Sequence, residues 1–133
     1  MLKLSKKVEY GLIAVRHIAA SQQHISTAKE IAERYKIPYE LLAKVMQKLA
    51  KQGIITSYQG VNGGYALARK PDEISISHVI IAIEGNVSSI AQCFSNDPVA
   101  CSIFDSCTIK NPLEKIQHNL EHVFDTMKVS EII

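Results

Sequence analysis

The three cysteines of this 133-residue chain, Cys93, Cys101 and Cys107, all lie in one polar stretch, residues 86–110. Their thiolates could bind a metal, take part in redox chemistry, or serve as ordinary small side chains. Because three thiols cannot all pair within one chain, a disulfide framework explains them less well. The N-terminus has no apolar segment of the kind found in secretion signals, so we expect a reducing, cytoplasmic location. Together these features favour a metal-binding segment.

Charge is divided unevenly along the chain. Residues 1–70 carry twelve Lys and Arg against four Asp and Glu, a balance of +8, whereas residues 71–133 carry three against nine, or −6, which recovers the total of +2. A basic half predicts a polyanionic partner, although a solvated charged surface is the alternative. No apolar run approaches the length of about 20 residues that a membrane span requires, so no membrane partner is expected.

The first half of the chain is predicted to contain three helices. Apolar residues at helical spacing predict the first helix over residues 5–20. Thr27 and Glu30 form a capping box that predicts the start of a second, short helix. Pro38 is expected at the first position of a third helix, over residues 39–52. Two helices joined by about three residues are typical of a helix-turn-helix.

The third helix has two faces. Its apolar face is predicted to lie in the core and contains Leu41, Leu42, Val45, Met46 and Leu49. The opposite face is polar and contains Glu40, Lys44, Gln47, Lys48 and Lys51. Lysines contact phosphates, and the amide of Gln47 suits a base edge, so this face predicts a recognition helix in a DNA major groove. We expect Glu40, Lys44 and Gln47 to lie nearest the bases; a solvated helix face is the alternative.

Two strand-like runs, residues 54–59 and 65–69, flank a glycine-rich turn. A hairpin directly after a recognition helix is typical of a wing, although a plain structural turn is the alternative. Glycines allow positive φ and close approach of the backbone to a phosphate, and polar side chains beside them suit a minor groove. The wing residues predicted to meet DNA are Gln59, Asn62, Gly63 and Gly64.

The second half of the chain is predicted to contain two more helices. The shorter one is expected to start on Ser77 and stop at Gly85. Asn111 as N-cap, Pro112 at the first position and Glu114 at the third predict the start of a long helix. Its apolar residues step by three and four, which predicts packing along another helix in a homodimer; they are Leu113, Ile116, Leu120, Val123, Phe124 and Met127.

The predicted fold class is therefore mainly α with a small β wing. Residues 1–72 form a winged helix-turn-helix, and residues 73–133 hold the cysteine segment and the dimerisation helices. Several short motifs make this chain resemble bacterial winged-helix transcription regulators of the IscR, NsrR, RirA and CymR type over essentially its whole length. Besides the three cysteines, these motifs are Leu4 to Lys7, Glu9-Tyr10, Gly53 to Ile55, Gly60, Gly63 to Tyr65, Ile76-Ser77, Val79-Ile80 and Glu84-Gly85.

The resemblance implies a homodimer that binds an imperfect palindrome in double-stranded DNA, acts as a repressor and has no small-molecule substrate. In most cysteine-containing members it also implies an iron–sulfur cluster that controls DNA affinity. Such a cluster suits the residues, because thiolates are its preferred ligands. The spacing is Cys-x7-Cys-x5-Cys, whereas the familiar members have five residues in both gaps. Three thiolates and a carboxylate favour [4Fe-4S] over [2Fe-2S].

The fourth ligand implied by the resemblance differs among relatives. IscR-like members use a histidine where this chain has Lys110, which disfavours that ligation. NsrR-like members use a carboxylate of the partner subunit, and Glu9 stands at that position; the alternative is a carboxylate that only stabilises the start of its helix. Another relative adds a histidine one turn later, where this chain has Ile13. His118 and His122 are a further, weaker candidate pair for metal binding.

The sequence leaves three alternatives open. The first is a cluster-free regulator that acts through a protein partner, and the second is a zinc site formed by the three thiolates and one further ligand. The third, a cysteine-based enzyme, is disfavoured because the sequence has no Cys-x-x-Cys and no obvious base near the thiols. Gln59 and Ala43 replace an arginine and a glutamate of IscR-like relatives, so the DNA sequence they bind should not be transferred to this chain.

Overall fold

The computed structural model describes residues 4–21, 25–85 and 109–133, so the three cysteines lie outside the described residues. Five helices and one two-stranded sheet are formed within these ranges. In chain order the elements are α1 (Lys6–Ala20), α2 (Ala28–Tyr35), α3 (Tyr39–Lys51), β1 (Ile55–Tyr58), β2 (Gly64–Leu67), a 3₁₀ turn (Pro71–Glu73), α4 (Ile76–Glu84), α5 (Lys110–Thr126) and a second 3₁₀ turn (Val129–Glu131).

Local signals in the sequence explain the first three helices. Ser5 caps α1, and its hydroxyl accepts a hydrogen bond from the amide of Val8 at 3.3 Å. The predicted capping box at α2 is confirmed, because the Thr27 hydroxyl accepts from the Glu30 amide at 3.0 Å and the Glu30 carboxylate returns to the Thr27 amide. Pro38 is the N-cap of α3 rather than its first residue, a shift of one position.

The predicted hairpin is also confirmed. Strands β1 and β2 pair antiparallel, from Ile55 opposite Leu67 to Tyr58 opposite Gly64. A third piece of backbone extends this sheet, since Ser26 exchanges two hydrogen bonds with Tyr65, at 2.9 and 2.8 Å. Ser26, which precedes the N-cap of α2, therefore anchors the start of β2.

The starts of the two later helices differ from the predictions. Helix α4 is capped by Ser75, two residues before the expected Ser77, because the Ser75 hydroxyl accepts from the amide of His78 while the His78 ring accepts from the amide of Ser75. Helix α5 begins before Asn111, since the amide of Leu113 already donates to the carbonyl of Ile109 at 2.9 Å. Pro112 therefore lies inside the first turn, where its missing N–H costs nothing.

One hydrophobic core joins α1, α2, α3, β1 and α4. The chain after α5 returns to it: Val129 is fully buried, and its amide donates to the carbonyl of Ile74 at 2.8 Å. The guanidinium of Arg16 on α1 also donates to the carbonyl of Ile132 at 2.7 Å. The end of the chain thus packs against α1 and against the segment that precedes α4. Among the described residues, no helix has the length and apolar character of a membrane span.

Candidate functional site

The outer face of α3 is a stripe of polar side chains. Glu40, Lys44, Gln47 and Lys51 are all exposed and recur at intervals of four, three and four residues. Four of the five residues predicted for the opposite face are buried; Leu41 is the exception, because it is only half-buried at the edge of the helix and outside the core cluster. The structure therefore separates a buried face of α3 from an exposed face of predicted DNA contacts.

Lys48 is exposed like Lys44 and Lys51, but it differs from them in having a partner within the protein. Its ammonium donates to the backbone carbonyl of Ile83 at 3.3 Å, so the side chain reaches sideways to the last turn of α4. Helical geometry agrees, because position 48 lies about 70° around the axis from the centre of the stripe formed by Glu40, Lys44, Gln47 and Lys51. Five residues of α3 are predicted to contact DNA. Among the hydrogen bonds of the described residues, only that of Lys48 joins one of these side chains to another part of the protein.

The wing presents its predicted polar residues to solvent. Gln59 and Asn62 are exposed, and the Gln59 amide lies 3.4 Å from the hydroxyl of Ser57. Gly63 fills a place that no larger residue could occupy, since a Cβ there would lie 2.9 Å from the carbonyl oxygen of Gly60 and closer still to that of Tyr58. Because β1 packs against α3, the wing lies next to the helix that carries the polar stripe.

Two exposed tyrosines were missed by the sequence analysis. Tyr39 is the first residue of α3 and is 55% exposed, and Tyr58 at the end of β1 is 51% exposed. In a helix-turn-helix the N-terminal residues of the second helix contact base edges, so Tyr39 lies where such contacts are made. The available signal was an aromatic residue directly after Pro38, at the predicted start of the helix.

Glu9 lies in the first turns of α1 and remains partly exposed. Its carboxylate is 3.1 Å from the ammonium of Lys6, and the side chain is 39% exposed. The hydrogen bond and the charge of Glu9 raise the pKa of Lys6 above its ordinary value. The carboxylate is therefore held by a surface ion pair and remains open to a partner.

Within the described ranges, no three histidine, cysteine or carboxylate side chains cluster closely enough to hold a metal. His118 and His122 are both exposed on α5. The cysteines fall outside these ranges, and their donor chemistry fits a cluster. Three thiolates with one oxygen or nitrogen ligand suit an iron–sulfur cluster, and they also suit zinc.

Helix α5 divides its predicted dimerisation residues between two faces. Ile116 and Val123 are each 48% exposed, and Met127 directly after the helix is 39% exposed. Leu113 and Leu120 are half-buried, whereas Phe124 packs against the chain's own core. Ile109, which the prediction did not include, is 51% exposed and extends the row by two turns. Helix α5 thus has an apolar face that the described part of the chain leaves uncovered.

These features together define a winged helix-turn-helix protein: three packed helices, a two-stranded wing next to the third, and an exposed polar face on that helix. The sequence profile of the Rrf2 family, described as an iron-dependent transcriptional regulator, matches residues 4–133. This chain belongs to the Rrf2 family. It is a DNA-binding transcription regulator and not an enzyme.

Individual relatives agree with this assignment. The chain is 29% identical over 133 residues to the HTH-type transcriptional regulator NsrR of Shouchella clausii, covering 99% of this chain and 89% of that protein. The solved structure of T. potens IscR superposes with a TM-score of 0.75 at 30% identity, over 98% of this chain and 85% of that one. CymR, the global cysteine regulator of B. subtilis, has the same fold, with a TM-score of 0.78 at 24% identity over 99% of this chain and 96% of that one.

Proposed function

We propose that this protein is a homodimeric repressor whose affinity for DNA is controlled by an iron–sulfur cluster bound to Cys93, Cys101 and Cys107. The observation that carries the proposal is the pairing of an exposed recognition surface with the only three thiols of the chain, in a member of a family described as iron-dependent. Thiolates are the preferred ligands of such clusters. A zinc-bound or cluster-free regulator is the second candidate, because three thiolates also suit zinc and can equally stay free of metal.

The DNA-binding surface of the proposal consists of α3 and the wing. The side chains of Glu40, Lys44 and Gln47 would face the bases, while Lys51 would contact a phosphate. Gln59 and Asn62 would enter the minor groove, with the backbone of Gly63 and Gly64 close to the phosphates. A two-fold dimer of such heads matches an imperfect palindrome whose half-sites are about 34 Å apart, one helical turn of DNA.

The dimer of the proposal is formed through α5. The uncovered face of this helix carries Ile109, Ile116, Val123 and Met127, each between 39% and 51% exposed. Covering such a row with the same row of a second copy removes apolar surface from water, which is the main favourable term in association. Ile116→Glu is expected to shift the protein to monomers, measured by sedimentation. The matched control is His118→Glu, which adds the same charge on the opposite side of α5 and is expected to leave the dimer intact.

Glu9 of the partner subunit is the proposed fourth ligand. Its carboxylate is 39% exposed and, among the described residues, is paired with Lys6 alone, so a second chain can reach it. Glu9→Gln keeps the shape but removes the charge, and we expect a cluster that is lost faster in air. Lys6→Met breaks the same ion pair while keeping the carboxylate, and it is expected to leave the cluster unchanged. If the cluster survives in air equally long in Glu9→Gln and in Lys6→Met, Glu9 has a purely structural role.

The central test is anaerobic purification, with an absorption spectrum and iron and sulfide assays per chain, on the wild type and on single Cys→Ala variants. Binding to duplexes selected from a random-sequence pool is then measured for the cluster-loaded and cluster-free forms at one salt concentration. Iron and matching sulfide that are lost on cysteine substitution, with different affinities of the two forms, support the proposal. Colourless protein that binds zinc, or identical binding curves, would support the second candidate instead.

A further inference from the structure

The last turn of α4 is tied to two other helices by polar contacts from successive residues. The backbone carbonyl of Ile83 accepts from the ammonium of Lys48 on α3 at 3.3 Å. The carboxylate of Glu84 accepts from the hydroxyl of Ser5, the N-cap of α1. The same turn therefore contacts both the recognition helix and the start of the helix that carries Glu9.

Helix electrostatics favour both contacts. The last carbonyls of a helix have no N–H partner within it, and a cation is stabilised there. The amide of Gly85 satisfies the carbonyl of Ile81 at 2.8 Å, and Lys48 supplies a cationic donor for the carbonyl of Ile83. Glu84 places a negative charge at the N-terminal end of α1, where the helix dipole is positive.

Packing makes this turn a rigid junction. The side chain of Ile83 is 4% exposed and lies in the notch that Gly11 leaves on α1. A Cβ at position 11 would overlap the Cδ1 methyl of Ile83 and lie 3.3 Å from Cγ1 of Val45 on α3. Because packed interiors change between discrete arrangements rather than deforming smoothly, a shift of this turn would move α3 and α1 as well.

We infer that Lys48 is a positioning residue, which links the orientation of the recognition helix to the last turn of α4 and does not contact DNA. The inference rests on the proposed function, because it requires that the state of the cysteines controls DNA affinity. Gly85 ends α4, and Cys93 follows eight residues later in the sequence. A change at the cysteines reaches α3 through the contact between Lys48 and the Ile83 carbonyl. The sequence analysis assigned Lys48 to DNA, and this contact gives it a different role.

The test compares Lys48→Met with Lys51→Met, two changes that remove one charge from α3 and keep a long unbranched side chain. The affinity for a selected duplex is measured for the cluster-loaded and cluster-free forms, at salt concentrations from about 50 to 200 mM, where phosphate contacts dominate the dependence. Lys51→Met is expected to weaken both forms and to reduce the salt slope by about 0.9, the effect of one phosphate contact. The ratio of the two affinities stays unchanged.

Lys48→Met is expected to leave the salt slope unchanged and to reduce the ratio between the two forms by about fivefold, a change within the usual range of coupling between sites. Lys48→Arg keeps a cationic donor and is expected to restore the ratio. A reduced salt slope with an unchanged ratio in Lys48→Met would overturn the inference, because Lys48 would then be a phosphate contact. Equal affinities of the two forms in the wild type would refute cluster control itself and the regulatory role of Lys48 with it, while the slope would still decide whether Lys48 contacts DNA.

Discussion

Gly11→Ala tests the junction between α1 and α4 directly. Gly11 is buried inside α1, and the Cδ1 methyl of Ile83 occupies the space that a Cβ would need. Glycine is here a requirement of packing, because its conformation is helical and an alanine would otherwise be preferred. The substitution therefore sets two opposite effects against each other, and their sizes decide the result.

In an open helix position, replacing glycine by alanine stabilises a protein by about 1 kcal/mol. Forcing an extra methyl into a packed core costs about 1 to 3 kcal/mol. Since the neighbour is buried and cannot move into solvent, we expect the second effect to win and Gly11→Ala to destabilise the fold by about 1 kcal/mol. In an Ile83→Val background, which lacks the Cδ1 methyl, the same change should become neutral or stabilising.

The assay is urea unfolding of all four proteins of this double-mutant cycle, without cluster, under reducing conditions and at one protein concentration, since a dimer makes stability depend on concentration. Ile83→Val alone is expected to cost about 0.5 to 1.5 kcal/mol. The interaction energy between the two positions should be favourable and about 1 to 2 kcal/mol, the range of residues in contact. Gly11→Ala that stabilises the wild type by about 1 kcal/mol would refute the reasoning, because the notch would then be unfilled.

Three further predictions follow from other parts of the structure. Thr27→Ala removes the capping box of α2 and is expected to cost about 1 kcal/mol in urea unfolding, whereas Thr27→Ser should retain most of the stability. Gly63→Ala would press a methyl against the carbonyls of the wing turn and is expected to weaken DNA binding by about tenfold; Val61→Ala, at a fully exposed position, should not change it. Burial and the charge of Arg34 lower the pKa of His17. The free energy of unfolding should therefore fall as the pH drops below about 6.5, the pKa of histidine in the unfolded chain. His17→Gln should flatten this part of the dependence of stability on pH. Equal pH dependence in the two proteins would contradict this assignment.

The sequence by itself determined the elements and their order. Caps and apolar spacing act within a few residues, so the capping box at Thr27, the helices and the hairpin after Gly53 were readable without a structure. The residues exposed on α3 could be predicted for the same reason, because helical periodicity fixes which side chains share a face. Family motifs spread along the chain added the DNA-binding function, which membership of the Rrf2 family confirms.

Local signals were less decisive where two neighbouring residues could serve the same purpose. Ser75 and Ser77 are both suitable caps for α4, and the structure uses Ser75, whose hydroxyl is 3.2 Å from the amide of His78. Asn111 is a good cap by residue type, yet α5 begins earlier. Such choices depend on what the neighbouring backbone packs against, and residue preferences at a single position cannot express this.

Only the tertiary structure decided the contacts between distant segments. Lys48 and Ile83 are 35 positions apart, Ser5 and Glu84 are 79 apart, and Arg16 and Ile132 are 116 apart. A periodic pattern states which face of a helix is apolar, but it does not state which helix will cover that face or where a long lysine side chain will find a carbonyl. The notch at Gly11 and the role of Lys48 are therefore properties of the packed molecule, because both depend on the place where α4 meets α1 and α3.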